Sequence, residues 1–383
     1  MPPPLSWSSL PRPIVALSPM ADMTDSAFCR VVREITNDGT ERAASDRSMS
    51  ETSSHVPDAG RMSRPEGSAD VQEVESRLRS EAARSVPLVM FREMVSSEAV
   101  VRGNEKTLDM TDIHPEERPL VQQIFGGDPK TMAEAARIIE AEHHPEGFDI
   151  NMGCPVYKIV HNFNGAALMK DPKLASEIIR SMKAAITVPL SVKIRTGWSD
   201  PRECLEFIKV VEEAGAALIT IHGRTKVQGY AGKSDWNVIA EAKKRVSIPV
   251  LANGDIHDPA LVPEALRISG CDGVLIARGA LGNPWFFKQA QEALAGKIPT
   301  PVTLDQRIRI VLRHADLHVE QYGERGLVTF RKHLSWYFKG GRGAKLFRER
   351  LVRVSTLRDL RAILEDILET SEKATDIPQT NSA

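Results

Sequence analysis

The sequence predicts an α/β protein: a closed (β/α)8 TIM barrel followed by a smaller all-helical C-terminal domain. Three observations predict it. From Ile14 to about Phe287, short β-branched runs alternate with amphipathic helical stretches, the pattern of parallel βαβ units. Eight such runs follow in one series, which suits a closed barrel better than an open sheet. From Leu304 onward only helical periodicity remains, in Ile308, Val311 and Leu312, then Leu351, Leu357, Leu360, Ile363, Leu364 and Ile367.

The expected strands are Ile14–Leu17, Leu88–Phe91, Leu120–Ile124, Phe148–Ile150, Leu190–Ile194, Leu218–Ile221, Pro249–Ala252 and Gly273–Ile276. Between them, Thr131–Glu142, Lys173–Ala185, Arg202–Ala214 and Pro259–Ser269 repeat apolar residues at three and four positions, as in Leu174, Ile178, Ile179 and Met182. Residues 1–12 form an N-terminal extension rich in Pro and Ser, residues 13–290 the barrel, 302–370 the helical domain and 371–383 a disordered tail. One segment breaks the rhythm. Asn37–Val86 has no Phe, Trp or Tyr and is crowded with Ser, Arg, Asp and Glu. It cannot bury enough apolar surface to offset its ordering entropy, so 37–86 is expected to be a disordered insertion, with a short helix over Val71–Arg84.

Composition narrows the class. A chain of 383 residues, 42% hydrophobic, fits a globular protein with a large core. Its formal net charge of -1 gives no global signature of a nucleic-acid partner, so any such signal must be local. Cys29, Cys154, Cys204 and Cys271 are scattered, without the pairing or Cys/His spacing of a zinc site. No metal is expected, and a reducing, cytoplasmic setting is the reading. No apolar run approaches the roughly 18 residues of a membrane span. A monomer is expected.

Chemistry in such a barrel sits in the loops at the C-terminal ends of the strands. The first strand leads into Ser18-Pro19-Met20-Ala21 and the third carries Gln122-Gln123. The fourth ends in Asn151-Met152-Gly153-Cys154-Pro155, the fifth in Lys193-Ile194-Arg195 and the sixth in His222-Gly223-Arg224. The seventh gives Asn253-Gly254-Asp255 and the eighth Ala277-Arg278-Gly279. Polar, Gly-linked residues thus collect at one end of nearly every strand. The last two loops suit a phosphate: Gly254 lets backbone N–H groups approach an anion, and Arg278 can meet it with two hydrogen bonds. Lys193 is placed for a Schiff base, a substrate phosphate or an anionic flavin. His222 reads equally as a cofactor contact or a satisfied core histidine, and Gln123 as a ligand contact or a loop cap. An unperturbed thiol, with pKa about 8.5, is roughly 97% protonated at pH 7, so Cys154 is an acid at rest. Cys29, Cys204 and Cys271 read as small core residues.

These motifs resemble one family. Ser-Pro-Met-Ala at 18–21, Asn-Met-Gly-Cys-Pro at 151–155, Gly-Ala-Ala-Leu at 165–168, Val-Lys-Ile-Arg-Thr-Gly-Trp at 192–198, Ile-His-Gly-Arg-Thr at 221–225, Ala-Asn-Gly-Asp-Ile at 252–256 and Ile-Ala-Arg-Gly-Ala at 276–280 are similar to those of the tRNA-dihydrouridine synthases. The likeness runs in order from about Pro13 to Pro284, apart from the insertion. Arg331-Lys332-His333-Leu334 and Trp336-Tyr337 resemble the bacterial B-type branch. The resemblance implies a flavoprotein that reduces the 5,6 double bond of tRNA uridines. Pro19, Met20, Ala21, Gln123, Lys193, His222, Asn253, Gly254, Asp255, Ala277 and Arg278 would hold FMN. Cys154 would protonate C5 of the uracil while hydride reaches C6, with NADPH as reductant. No GxGxxG fingerprint is present, so no dedicated dinucleotide domain is expected.

Local charge bears on the RNA. Between Gln321 and Arg353 nine basic residues face two acids, a local excess of +7 in a chain of net -1. Phe330, Trp336, Tyr337 and Phe347 are interleaved, and charge of this density suits a phosphate backbone. Lys158, Arg195 and Arg224 are further candidate RNA contacts. The rival reading is an FMN barrel dehydrogenase acting on a free pyrimidine, of the dihydroorotate or dihydropyrimidine dehydrogenase kind. It leaves the basic helical segment without a purpose. A non-catalytic tRNA-binding scaffold would leave Cys154 and the cofactor residues without one.

Overall fold

The computed structural model describes residues 5–49, 87–339 and 344–375. Eight parallel strands close in sequence order: β1 Ile14–Leu17, β2 Leu88–Ser96, β3 Leu120–Phe125, β4 Gly147–Met152, β5 Leu190–Arg195, β6 Leu218–His222, β7 Val250–Asn253 and β8 Gly273–Ile276. β1 pairs with both β2 and β8, so no edge is left open. Every expected strand is present, and six are longer or shifted by a residue or more toward the barrel mouth. Closure explains why: each strand is hydrogen-bonded on both sides, so polar residues such as Lys193, Arg195, His222 and Asn253 are held in the ladder.

The helices between strands start where their caps put them. Asp128 accepts from Thr131 N ahead of helix Pro129–His143, and Asp171 accepts from Leu174 N ahead of helix Pro172–Ala185. Both helices open on Pro, whose missing N–H is not needed in the first turn. β2 is the irregular strand. Its register against β3 shifts between Arg92 and Val95, a bulge that leaves Glu93 and Met94 out of the pairing.

Three findings change the organisation read from the sequence. The N-terminal extension is part of the barrel: Leu5 and Trp7 are buried with Ile14, Val89, Phe91 and Leu218, and Trp7 stacks on Phe91 at 5.9 Å. The first helix runs over Ser26–Met49, past Asn37 where the low-aromatic segment begins; 50–86, with the short helix expected at Val71–Arg84, lies outside the described residues. The last helix likewise runs to Thr375, beyond 371, and 376–383 lies outside them.

The helical region comprises Leu304–Tyr322, Leu327–Tyr337, Ala344–Leu351 and Leu357–Thr375. It buries a core distinct from the barrel's, which the barrel joins from one side. Val311, Leu334, Leu360 and Leu364 pack with Ala27, Val31 and Ile35 from the outer face of the first helix and with Trp285. His314, His318 and His333 are buried at this seam with Phe28, Phe330 and Asp25. The junction helix Phe286–Leu294 belongs to the barrel's outer layer.

Candidate active site

A cavity of about 650 Å³ opens at the C-terminal end of the barrel. Cys154 and all eleven other residues expected to hold a cofactor line it. They come from the ends of seven different strands, because parallel closure points every strand's C-terminus at one mouth.

Cys154 sits on the loop after β4. The Asn151 side-chain oxygen accepts from both Gly153 N (3.1 Å) and Cys154 N (2.9 Å), tying that loop to the strand end. Asn151 is tied in turn: its amide donates to Gln123 Oε1, Gln123 donates to Asp149 Oδ2 at 2.6 Å, and Ser191 Oγ donates to Asp149 Oδ1 at 2.6 Å. Behind the thiol, Ala166 N donates to Cys154 O, and Gly165 has φ +58 with no room for a Cβ, which would lie 2.9 Å from that same oxygen. Cys154 is half-buried, whereas Cys29, Cys204 and Cys271 are fully buried. Burial pushes the Cys204 and Cys271 thiols up to about 12.

The mouth is electropositive. Burial and the neighbouring Arg195 push Lys193 down to about 8. Burial, then Lys193 and the guanidiniums of Arg195, Arg224 and Arg278, push His222 down to about 2, so its ring is neutral. The buried His222 Nδ1 has no hydrogen-bond partner among the described residues. Asp149, beneath Lys193, is raised by burial to about 6. Asp255 is held by Arg224 (2.7 Å) and Ser234 N (2.8 Å), which fixes the β7 loop. Asn253 donates to Leu275 O at 2.7 Å and locks β7 to β8. Gly254 has φ +110, and a Cβ there would meet Ser234 Oγ at 2.3 Å and His222 Cδ2 at 3.0 Å. Arg278 is half-exposed and stands 4.9 Å over the Tyr230 ring.

Two expectations are corrected. Arg195 is 4% exposed and donates to Gly153 O, Thr225 O and Gly229 O; Arg224 is 3% exposed and donates to Ala231 O, Gly232 O and Asp255. Both brace loops and are withdrawn from the outer surface, and Arg195 reaches only the cavity. Lys158 is exposed. Within the basic segment, Arg331 donates to Val354 O and Arg353 O and Arg350 pairs with Asp366 at 2.7 Å, while Arg342 and the Lys345 side chain lie outside the described residues. Reading the sequence also missed Met94, Asn151, Tyr230, Trp336 and Lys339 as lining residues. Asn151 was on view in its motif. Asp149, an acid inside the apolar run Phe148–Ile150, was the available sign of a buried polar network.

A 650 Å³ cavity is of cofactor size. Lys193 and Arg278, the unpartnered His222 nitrogen and the Gly254 backbone suit a phosphate-bearing anion. The arrangement defines a cofactor-dependent α/β-barrel enzyme with a thiol at the rim of its cofactor site. Residues 15–374 match the family described as Dihydrouridine synthase (Dus). The chain is 36% identical to the probable tRNA-dihydrouridine synthase 1 of Synechocystis sp., over 74% of this chain and 80% of that one. It is 38% identical to the probable tRNA-dihydrouridine synthase of Mycobacterium leprae, over 71% and 73%. It is 40% identical to tRNA-dihydrouridine synthase B of Pseudomonas syringae pv. tomato, over 68% and 78%. The chain belongs to the dihydrouridine synthase family, whose members are flavin-dependent oxidoreductases.

Proposed function

We propose that the protein is a tRNA-dihydrouridine synthase that holds FMN at the barrel mouth and saturates the 5,6 double bond of a uridine turned out of its stack. The observation that carries this reading is the gathering of Cys154 and the eleven cofactor residues around one cavity. Pro19, Met20, Ala21, Gln123, Lys193, His222, Asn253, Gly254, Asp255, Ala277 and Arg278 would hold the flavin, with Gly254 and Arg278 toward its phosphate. Bound there and reduced by NADPH, FMN supplies the hydride that C6 of the uracil accepts.

The chain's own residues supply the rest. Cys154 Sγ gives its proton to C5, so one hydride and one proton saturate the double bond. Asn151 holds the thiol loop at a fixed height above the strand ends. Lys193, at about 8, is mostly protonated at neutral pH and adds positive charge where the reduced cofactor is anionic. His222 stays neutral and offers Nδ1 as a hydrogen-bonding partner. Turning a base out of its stack costs a few kcal/mol. Trp336 and Lys339 bring the helical region to the cavity wall, where they can meet the RNA as it enters. This is the feature that favours tRNA over a free pyrimidine. A cytoplasmic site of action follows from that substrate.

Cys154→Ala tests the reading. It is expected to keep bound flavin and tRNA affinity and to lose most dihydrouridine formation, scored by mass spectrometry of tRNA. Full activity in the variant, or turnover of free uridine as efficient as that of tRNA, would sink it.

A further inference from the structure

The barrel mouth has a second cavity that the chemistry above does not use. It measures about 990 Å³ and runs from the ends of β1 and β2, beside the helical region, along the barrel's flank to Arg118 and His143. The two cavities share a wall. Ala21 and Met94 line the cofactor cavity, and their chain neighbours Asp22 and Glu93 line the other. Glu93 and Met94 leave β2 on opposite sides, as successive strand residues do, beside the register break against β3 between Arg92 and Val95.

Glu93 is the unusual group there. It is 5% exposed, and its Oε2 accepts from Asp22 N at 2.6 Å. No described residue donates to its Oε1. Burial and the nearby Asp25 push its carboxyl up to about 7, so the fold itself does little to stabilise its charge. Opposite stands Tyr322, 41% exposed, its ring packed on His318 at 4.6 Å. The lining is mixed in charge: Lys106, Arg325 and Lys332 stand among Asp22, Asp25, Asp109, Asp112, Glu142 and Glu320. A buried acceptor, an aromatic side chain and these three cations are what the cleft offers a nucleotide.

We propose that this cleft takes a second unstacked nucleotide of the same RNA, a guanosine whose base edge is read by Glu93. The proposal rests on the reading of the protein as a tRNA-modifying enzyme. Guanine carries two adjacent donors, N1–H and the N2 amino group, which match the two oxygens of one carboxylate. Adenine and cytosine set an acceptor beside their donor, and uracil flanks its single donor with two carbonyls, so each would press a lone pair against the carboxylate. The base stacks beside Tyr322, and its phosphate meets Lys332, Arg325 or Lys106. A one-residue wall puts this nucleotide next to the target uridine in space, so capture of the guanine helps set which uridine reaches the flavin.

The test uses the flavin-loaded full chain with GMP, AMP and CMP as probes, in equilibrium dialysis and as competitors of dihydrouridine formation. GMP is expected to bind at least fivefold more tightly than AMP or CMP and to raise the KM for tRNA. Glu93→Gln, which replaces one of the two acceptor oxygens with a donor and so cannot accept from N1–H and N2–H together, is expected to lower the GMP preference and to raise the tRNA KM about tenfold, with flavin content and NADPH-driven flavin reduction unchanged. Lys332→Gln provides a second variant at the rim, with a smaller rise in KM and the GMP preference retained. Equal binding of the three nucleotides, or an unchanged tRNA KM in Glu93→Gln, overturns the proposal. A raised KM for NADPH with tRNA KM unchanged also overturns it and gives the cleft to the dinucleotide. If no tRNA is modified by the parent enzyme, the functional reading fails instead, whatever the dialysis shows.

Discussion

Asn151 decides how Cys154 is presented. A single side-chain oxygen holds two successive backbone N–H groups of the thiol loop, and the amide end of the same side chain is anchored through Gln123 to buried Asp149. Asn151→Ala is expected to keep the fold and the flavin and to lower the rate of uridine reduction by about tenfold to a hundredfold, the scale of a misplacement near 1 Å. Single-turnover kinetics with pre-reduced flavin would measure it, and a parental rate would remove the positioning role. Lys193 makes a prediction in pH. Its ammonium form is held up to about pH 8 in the free enzyme and is lost above that. The kcat/KM for tRNA should therefore decline as pH rises through about 8, and Lys193→Arg, charged throughout, should flatten that limb.

At the scale of elements, the mouth depends on segments that depart from regular geometry. The loop carrying Cys154 is backed by the turn at Gly165–Lys170, and Gly165 takes φ +58 against the Cys154 carbonyl. Gly165→Ala should cost about 1–3 kcal/mol, from left-handed strain and a Cβ too close to backbone. It should also move the thiol, so the melting temperature and dihydrouridine yield fall together; an unchanged yield would show that the turn does not position Cys154. On the other side of the mouth, β2 breaks register against β3 between Arg92 and Val95, where Glu93 and Met94 face different cavities.

The whole molecule is held by a seam. Phe28 of the first helix and Phe330 of the helical region enclose His314, His318 and His333 over Asp25. Burial pushes His333 down to about 4 and His314 well below its ordinary value, while their histidines hold Asp25 below the usual carboxylate range despite its burial. A histidine whose folded pKa is depressed binds fewer protons in the fold than in the unfolded chain between about 4 and 6.5. The stability it contributes is full above 6.5 and falls as pH drops through that window, by roughly 3 kcal/mol at most for a 2.5-unit shift. The raised carboxyls of Glu93 and Asp149 act in the opposite sense, so the seam's share must be isolated. His333→Phe should gain on the parent in melting temperature as pH falls from 6.5 to 4; a constant offset would exclude the seam as the acid-sensitive joint. The same region should carry the RNA. Neutralising exposed Lys339, Arg348 and Arg353 should weaken tRNA binding and reduce its logarithmic salt slope by about 2, at roughly 0.7–0.9 per phosphate contact. An unchanged slope would place the RNA elsewhere.

By itself the sequence determined the barrel and the contents of its mouth. Strand and helix periods are local, and a Gly-linked polar motif after each strand is readable because parallel closure sends all those ends to one place. That the residues named for the cofactor, and Cys154, share one cavity was legible on that ground, while the roles assigned to them came from the family resemblance. Tertiary structure decided what depends on distant partners. It turned Leu5 and Trp7 into part of the barrel core, since only the closed sheet offers them apolar surface. It joined the core of the helical region to the first helix, which adds Ala27, Val31 and Ile35 to it. It withdrew Arg195 and Arg224 from the outer surface, since carbonyls from remote loops take up their donors. It also placed Glu93 and Met94, neighbours in β2, in two different cavities, since the second is closed by segments distant in sequence.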